Sequence, residues 1–127
     1  MTEVKKQKLA STLSYRLLES IQNEDAERFD NLLEKNKGCC KITEEMAVTA
    51  IEQSLGEMLE MMAPHTTADF WTAPGIWVAV LATEDEGFID LIYGFSKGAH
   101  PSTIEGVPFH EYVMDLDLSE EIVELLS

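Results

Sequence analysis

Apolar residues recur at every third or fourth position in short, separate runs of this chain, and that spacing points to helices that each bury one stripe against a neighbour. Leu9, Leu13, Leu17, Leu18 and Ile21 make the first stripe. Asn23 follows as a candidate N-cap. Glu24 and Asp25 then fall in a first turn, where negative charge is favoured, and Ala26, Phe29, Leu32 and Leu33 supply the next apolar face. Gly38 is placed to end that second helix. Residues 6–37 therefore read as two antiparallel helices joined by a tight turn near Gln22 and Asn23. Thr43, Glu44 and Glu45 open a further helical stretch, whose apolar side is Met46, Ala47, Ala50, Ile51, Leu55, Met58, Leu59 and Met62. Periodicity alone fits either one helix of about 20 residues or two short ones breaking around Gln53 to Gly56.

A chain of 127 residues with 45% hydrophobic content, 7 glycines and 4 prolines is long enough for one core and too poor in linker residues to be disordered. A single domain over residues 1–127 is expected. The longest apolar run, Ile76 to Ala82, is far short of the roughly 20 residues that span a bilayer. Lys5, Lys6 and Lys8 are followed by polar Ser11, Thr12 and Ser14 rather than by an apolar segment, so no secretory signal is expected. A reducing cytoplasmic setting fits Cys39 and Cys40, which are adjacent and have no distant partner to staple.

Residues 76–96 carry conflicting signals. Ile76 to Ala82 and Phe88 to Phe95 are rich in β-branched and aromatic residues around a short acidic turn, the pattern of a β-hairpin at 76–95 in an α+β fold. Thr83, Glu84, Asp85 and Glu86 instead match a helix capping box, with Thr83 as N-cap. Internal repetition favours helices. An apolar residue, two others and an apolar pair occur at Phe29/Leu32/Leu33, Leu55/Met58/Leu59, Phe88/Leu91/Ile92 and Ile122/Leu125/Leu126. The last three begin at nearly equal intervals, and the first interval is shorter. Ile76-Trp77-Val78-Ala79 also precedes Phe109-His110-Glu111-Tyr112 by the interval that separates Leu55 from Phe88, and each tetrad closely follows a proline, Pro74 or Pro108.

A period of about 33 residues built from two short helices and a turn is that of ankyrin repeats, and residues 72–127 resemble that family in detail. Glu86 to Ile92 resembles the start of a second helix, and Lys97-Gly98-Ala99-His100-Pro101 its glycine stop and following turn. Gly106-Val107-Pro108-Phe109-His110 resembles the Gly, Thr-Pro-Leu-His opening of the next repeat, and Ser119 to Leu126 its second helix. Val107 departs from the family's usual Thr, and Tyr112 stands where a small Ala is usual. The resemblance implies an all-α fold, a stacked helix-turn-helix solenoid of about four short repeats, with residues 1–63 matching only as paired amphipathic helices.

Such a stack binds partners with a continuous face rather than a cavity. On the implied register its tips are the loops Thr67 to Ala73 and His100 to Gly106, with Trp77, Leu81, Glu111, Met114 and Asp115 on the adjoining inner helices. Asp69, Glu105, Glu111 and Asp115 then supply a negative field, Phe70 and Trp71 an aromatic anchor, and Trp77 a further contact. The competing reading packs Phe70 and Trp71 back onto the core. The resemblance also implies that His110 hydrogen-bonds the backbone of its turn.

Charge gives this face a direction. Residues 1–41 hold eight of the nine basic residues and seven acidic ones, net +1, whereas residues 42–127 hold Lys97 against 17 acids, net −16. A field of one sign repels nucleic acid and anionic lipid and speeds association with a basic partner, although acidity also serves solubility. His65, His100 and His110 show no metal-ligand spacing, and no phosphate loop, nucleophile elbow or paired-carboxylate signature is present. No cofactor and no catalysis are expected. The sequence reads as a non-catalytic module that binds a basic protein, as an inhibitor or immunity-type neutraliser of a toxin or nucleic-acid-binding protein would. The alternative is a scaffold subunit whose Ile122, Val123, Leu125 and Leu126 face makes a homo-oligomer.

Overall fold

The computed structural model describes residues 3–36 and 41–126, and these are mostly helical. The chain divides into two compact units, Met1–Thr66 and Thr67–Ser127. In the first, α1 (Glu3–Gln22) packs against α2 (Ala26–Lys35) and α3 (Glu44–Glu52), and α4 (Gly56–Met62) packs against α2 and α3. A short 3-10 turn, Ala63–His65, extends α4. Leu17, Ile21, Phe29, Leu33, Met46, Ile51, Met58 and Leu59 are buried, so the stripes read from spacing are the faces that these helices hide.

The second unit opens with a 3-10 helix, Ala68–Thr72, followed by α5 (Pro74–Ala82) and α6 (Glu86–Phe95). A minimal antiparallel pair, β1 (Thr103–Ile104) and β2 (Val107–Pro108), then leads into α7 (Phe109–Asp115) and α8 (Glu120–Leu125). The 3-10 helix packs on α5 and α6, α6 on α8, α5 on β1, and α7 on both strands. Residues 76–95 are thus two helices and not the alternative hairpin. The β-branched run of α5 is explained by burial: Ile76, Trp77, Val80 and Leu81 are at most 1% exposed, so tertiary packing overrides local β preference.

One turn recurs in four helix pairs. Glu24, Ser54, Glu84 and Asp117 adopt left-handed backbone, with φ of 55°, 59°, 53° and 53°. The N–H of each donates to the carbonyl three residues back, on Ile21, Ile51, Leu81 and Met114, at 3.0, 3.0, 3.1 and 3.3 Å. Five residues after each turn residue stands a buried apolar side chain, Phe29, Leu59, Ile89 or Ile122. The four turns follow one another at nearly even intervals along the chain. Leu55 therefore sits at the N-cap position of α4 rather than in the apolar set, and Leu59 takes the place that the sequence pattern assigned to it.

The extra left-handed residue also displaces the expected caps. Asp25, not Asn23, caps α2, its Oδ1 accepting from the Arg28 N–H at 3.1 Å. Asp85, not Thr83, caps α6, accepting from the Phe88 N–H at 3.2 Å. Thr83 instead closes α5, where its hydroxyl donates to the Val80 carbonyl at 2.6 Å and accepts from the Asp85 N–H at 3.2 Å. Thr43 does cap α3, accepting from the Met46 N–H at 3.3 Å. The 43–63 stretch is two helices, broken at Gln53 to Leu55. Gly38, expected as a helix stop, and Cys39 and Cys40 lie outside the described residues.

Candidate protein-binding surface

The expected anchor residues separate sharply by burial. Trp71 is 1% exposed and Trp77 0%, so neither reaches a partner. The Trp77 Nε1–H donates to the Trp71 carbonyl at 2.9 Å. Trp77 also meets Tyr93 and Phe109 edge to face, with ring centroids 5.9 and 5.4 Å away. Trp71 packs on Phe95 at 4.9 Å, and the half-buried Phe70 stands edge-on to Trp71 at the same distance. The aromatic loop read as a contact tip is a 3-10 helix folded onto its own core, because rings of this size release more free energy by leaving water than by waiting for a partner. Leu81, expected as an inner-helix contact, is buried as well.

The four carboxylates behave otherwise. Asp69, Glu105, Glu111 and Asp115 are all exposed. Glu105 projects from the tip of the β1–β2 hairpin, where it and Gly106 take φ of 53° and 81° between the paired residues Ile104 and Val107. Positive φ at both central positions is the geometry of the tightest hairpin turn. Glu111 and Asp115 lie four residues apart on α7, on the side opposite the buried Phe109 and Val113. Met114 lies beside them and is 55% exposed, one of two large hydrophobic side chains left that open among the described residues. The implied register places Met114 on this inner helix together with Glu111 and Asp115.

His110 does not bond the hairpin turn. The strand pairing and a bond from the Phe109 N–H to the Ser102 carbonyl at 3.0 Å already tie that segment together, and His110 is exposed on α7. His100 is the ring that meets backbone, its Nδ1–H donating to the Pro101 carbonyl at 2.8 Å.

The carboxylates above belong to a larger field. From Thr67 onward the chain has twelve acidic residues and one basic, Lys97, and all twelve acidic side chains are exposed. Among the described residues none of these twelve has a cationic group within 4.0 Å. The first unit differs: Glu19 and Arg28 form an ion pair at 2.9 Å, and the Arg28 guanidinium holds the Glu19 carboxyl below its usual range. Among the described residues no three His, Cys, Asp or Glu side chains gather as metal ligands, and no helix is long and apolar enough to cross a membrane. No protein-family model, curated protein or solved structure matches the chain.

Proposed function

We propose that this chain is a non-catalytic binding module of ankyrin-like, repeated helix-turn-helix build that recognises a basic protein surface in the cytoplasm. The observation that carries the reading is the set of twelve exposed, unneutralised carboxylates from Thr67 onward, among them Glu105 at the hairpin tip and Glu111 and Asp115 on α7 with the exposed Met114. A dense field of one sign steers a partner of opposite sign into encounter, and an exposed apolar side chain inside it gives the docked pair something to bury. Masking the nucleic-acid-binding surface of a toxin or of another basic protein is the version of this role that the charge fits best. The recurring left-handed turn at Glu24, Ser54, Glu84 and Asp117 supports the repeat reading.

The test is capture of the partner from the source cells, followed by association kinetics with the purified pair. The rate is expected to fall steeply between low and physiological salt. The triple change Glu105→Gln, Glu111→Gln, Asp115→Asn is expected to slow association more than it speeds release. A partner that is not basic, or an association rate indifferent to salt, overturns the reading.

A further inference from the structure

The acidic unit also holds an open apolar groove. His100, Phe109, His110, Val113, Val123 and Leu126 line a space of about 310 Å³ along α7 and α8. Phe109 and Val113 form its floor and are nearly buried, at 4% and 3% exposure. One wall is fixed in place: His100 lies flat on Phe109 with ring centroids 3.9 Å apart and 13° between planes, and its Nδ1–H is held by the Pro101 carbonyl. On α8, Glu120 lies three residues before Val123 and four before Glu124, so the two exposed carboxylates line up along the edge of the helix beside Val123. An apolar trough with an acidic rim is complementary to an apolar stripe with a basic flank.

We propose that this groove docks an amphipathic helix of a partner protein, its apolar stripe on Phe109, Val113, Val123 and Leu126 and its lysines or arginines against Glu120 and Glu124. The proposal rests on the acidic-surface reading above and names the shape of partner for which that surface is built. A second copy of this chain is a poorer occupant. Two copies meeting symmetrically through this face would bring the Glu120 and Glu124 carboxylates of both together, and like charges brought together weaken the contact.

The test uses the full chain and a fluorescently labelled synthetic peptide of about 15 residues, long enough to hold a helix on binding, with leucines on one face and lysines on the other. A scrambled peptide of the same composition has the charge without the stripe. The striped peptide is expected to bind at least about tenfold more tightly than the scrambled one, measured by anisotropy. His110→Lys, at an exposed position that leaves the fold intact, and Val123→Lys are each expected to remove most of that difference. Glu57→Gln with Glu60→Gln, exposed on α4 of the first unit and outside the twelve carboxylates, is expected to leave it unchanged. Equal binding of the two peptides overturns the groove while the basic-surface reading stands, and binding of neither overturns both. Full binding by the His110→Lys and Val123→Lys proteins overturns the groove as the site. A light-scattering mass that grows with concentration and reverts in His110→Lys assigns the groove to a second copy, which also overturns the proposal.

Discussion

Glu105 shows how much a single residue concedes to its position. The left-handed backbone at the hairpin tip suits Asn or Gly, and a Glu there costs on the order of 1 kcal/mol relative to a residue at ease in that region. Glu105→Asn is therefore expected to raise stability by roughly 0.5 to 1 kcal/mol in urea unfolding, and to weaken binding of a basic partner in the same protein. A variant that gains stability with no loss of binding removes Glu105 from the contact face. Glu19 makes a second prediction at this scale. Its carboxyl is held low first by the hydrogen bond from Arg28, then by that guanidinium's charge, with smaller help from Tyr15 and Arg16. Because the folded value lies below the unfolded one, the stabilising contribution is complete above the ordinary glutamate range and disappears as pH falls through the lowered value. NMR titration should show Glu19 losing its proton below the ordinary glutamate value, and Arg28→Gln should return it toward that value.

At the scale of the element, α6 and the turn that follows it offer two glycines with opposite expectations. Gly94 lies inside the helix with open space where a Cβ would stand, so Gly94→Ala should stabilise by up to about 1 kcal/mol. Gly98 ends the helix at φ 78°, its N–H bonded to the Tyr93 carbonyl at 2.9 Å, so Gly98→Ala should destabilise by about 1 to 2 kcal/mol. Thermal unfolding of the two variants checks both signs. Most of the helices were legible in the sequence because they have a stripe that burial requires, such as Leu17 with Ile21 or Phe29 with Leu33. In α6, by contrast, the buried pair is Ile89 and Ile92, whereas the repeat pattern picks the half-buried Phe88 and Leu91 beside Ile92. The helix caps were not legible. The turn residues before Asp25 and Asp85 are Glu24 and Glu84, which carry none of the glycine or asparagine signal that marks left-handed backbone, so the extra residue in each turn stayed hidden and the caps were misplaced. The two-residue strands at 103–108 are too short for alternation to show. For the candidate face, exposure of Glu111 and Asp115 followed from helical spacing, whereas Trp71 and Trp77 have a residue type as common in cores as in interfaces. Only packing assigns them to the core.

Across the whole molecule, the net charge of −15 is a standing repulsion that the fold has to overcome. Between about 0.01 M and about 0.1 M salt the screening length drops from about 30 Å to about 10 Å, so the urea midpoint is expected to rise over that interval. A midpoint that stays constant or falls would mean that attractive pairs such as Glu19 and Arg28 outweigh the repulsion. The same salt that steadies the chain is expected to slow its encounter with a basic partner. Stability and recognition therefore respond in opposite directions to one variable, and a single salt series measured for both separates this protein from one whose acidity serves solubility alone.

The edge-to-face contact between Trp77 and Phe109 has a practical corollary. Phe109 is at once the neighbour of a buried indole and part of the trough on α7 and α8, so whatever enters the trough presses on a ring that Trp77 already touches. The protein carries an intrinsic optical probe one side chain away from its open groove. Ultraviolet emission from the unlabelled chain should then register a visitor without any dye, and replacing Trp71 by Phe would leave Trp77 as the lone source of the signal.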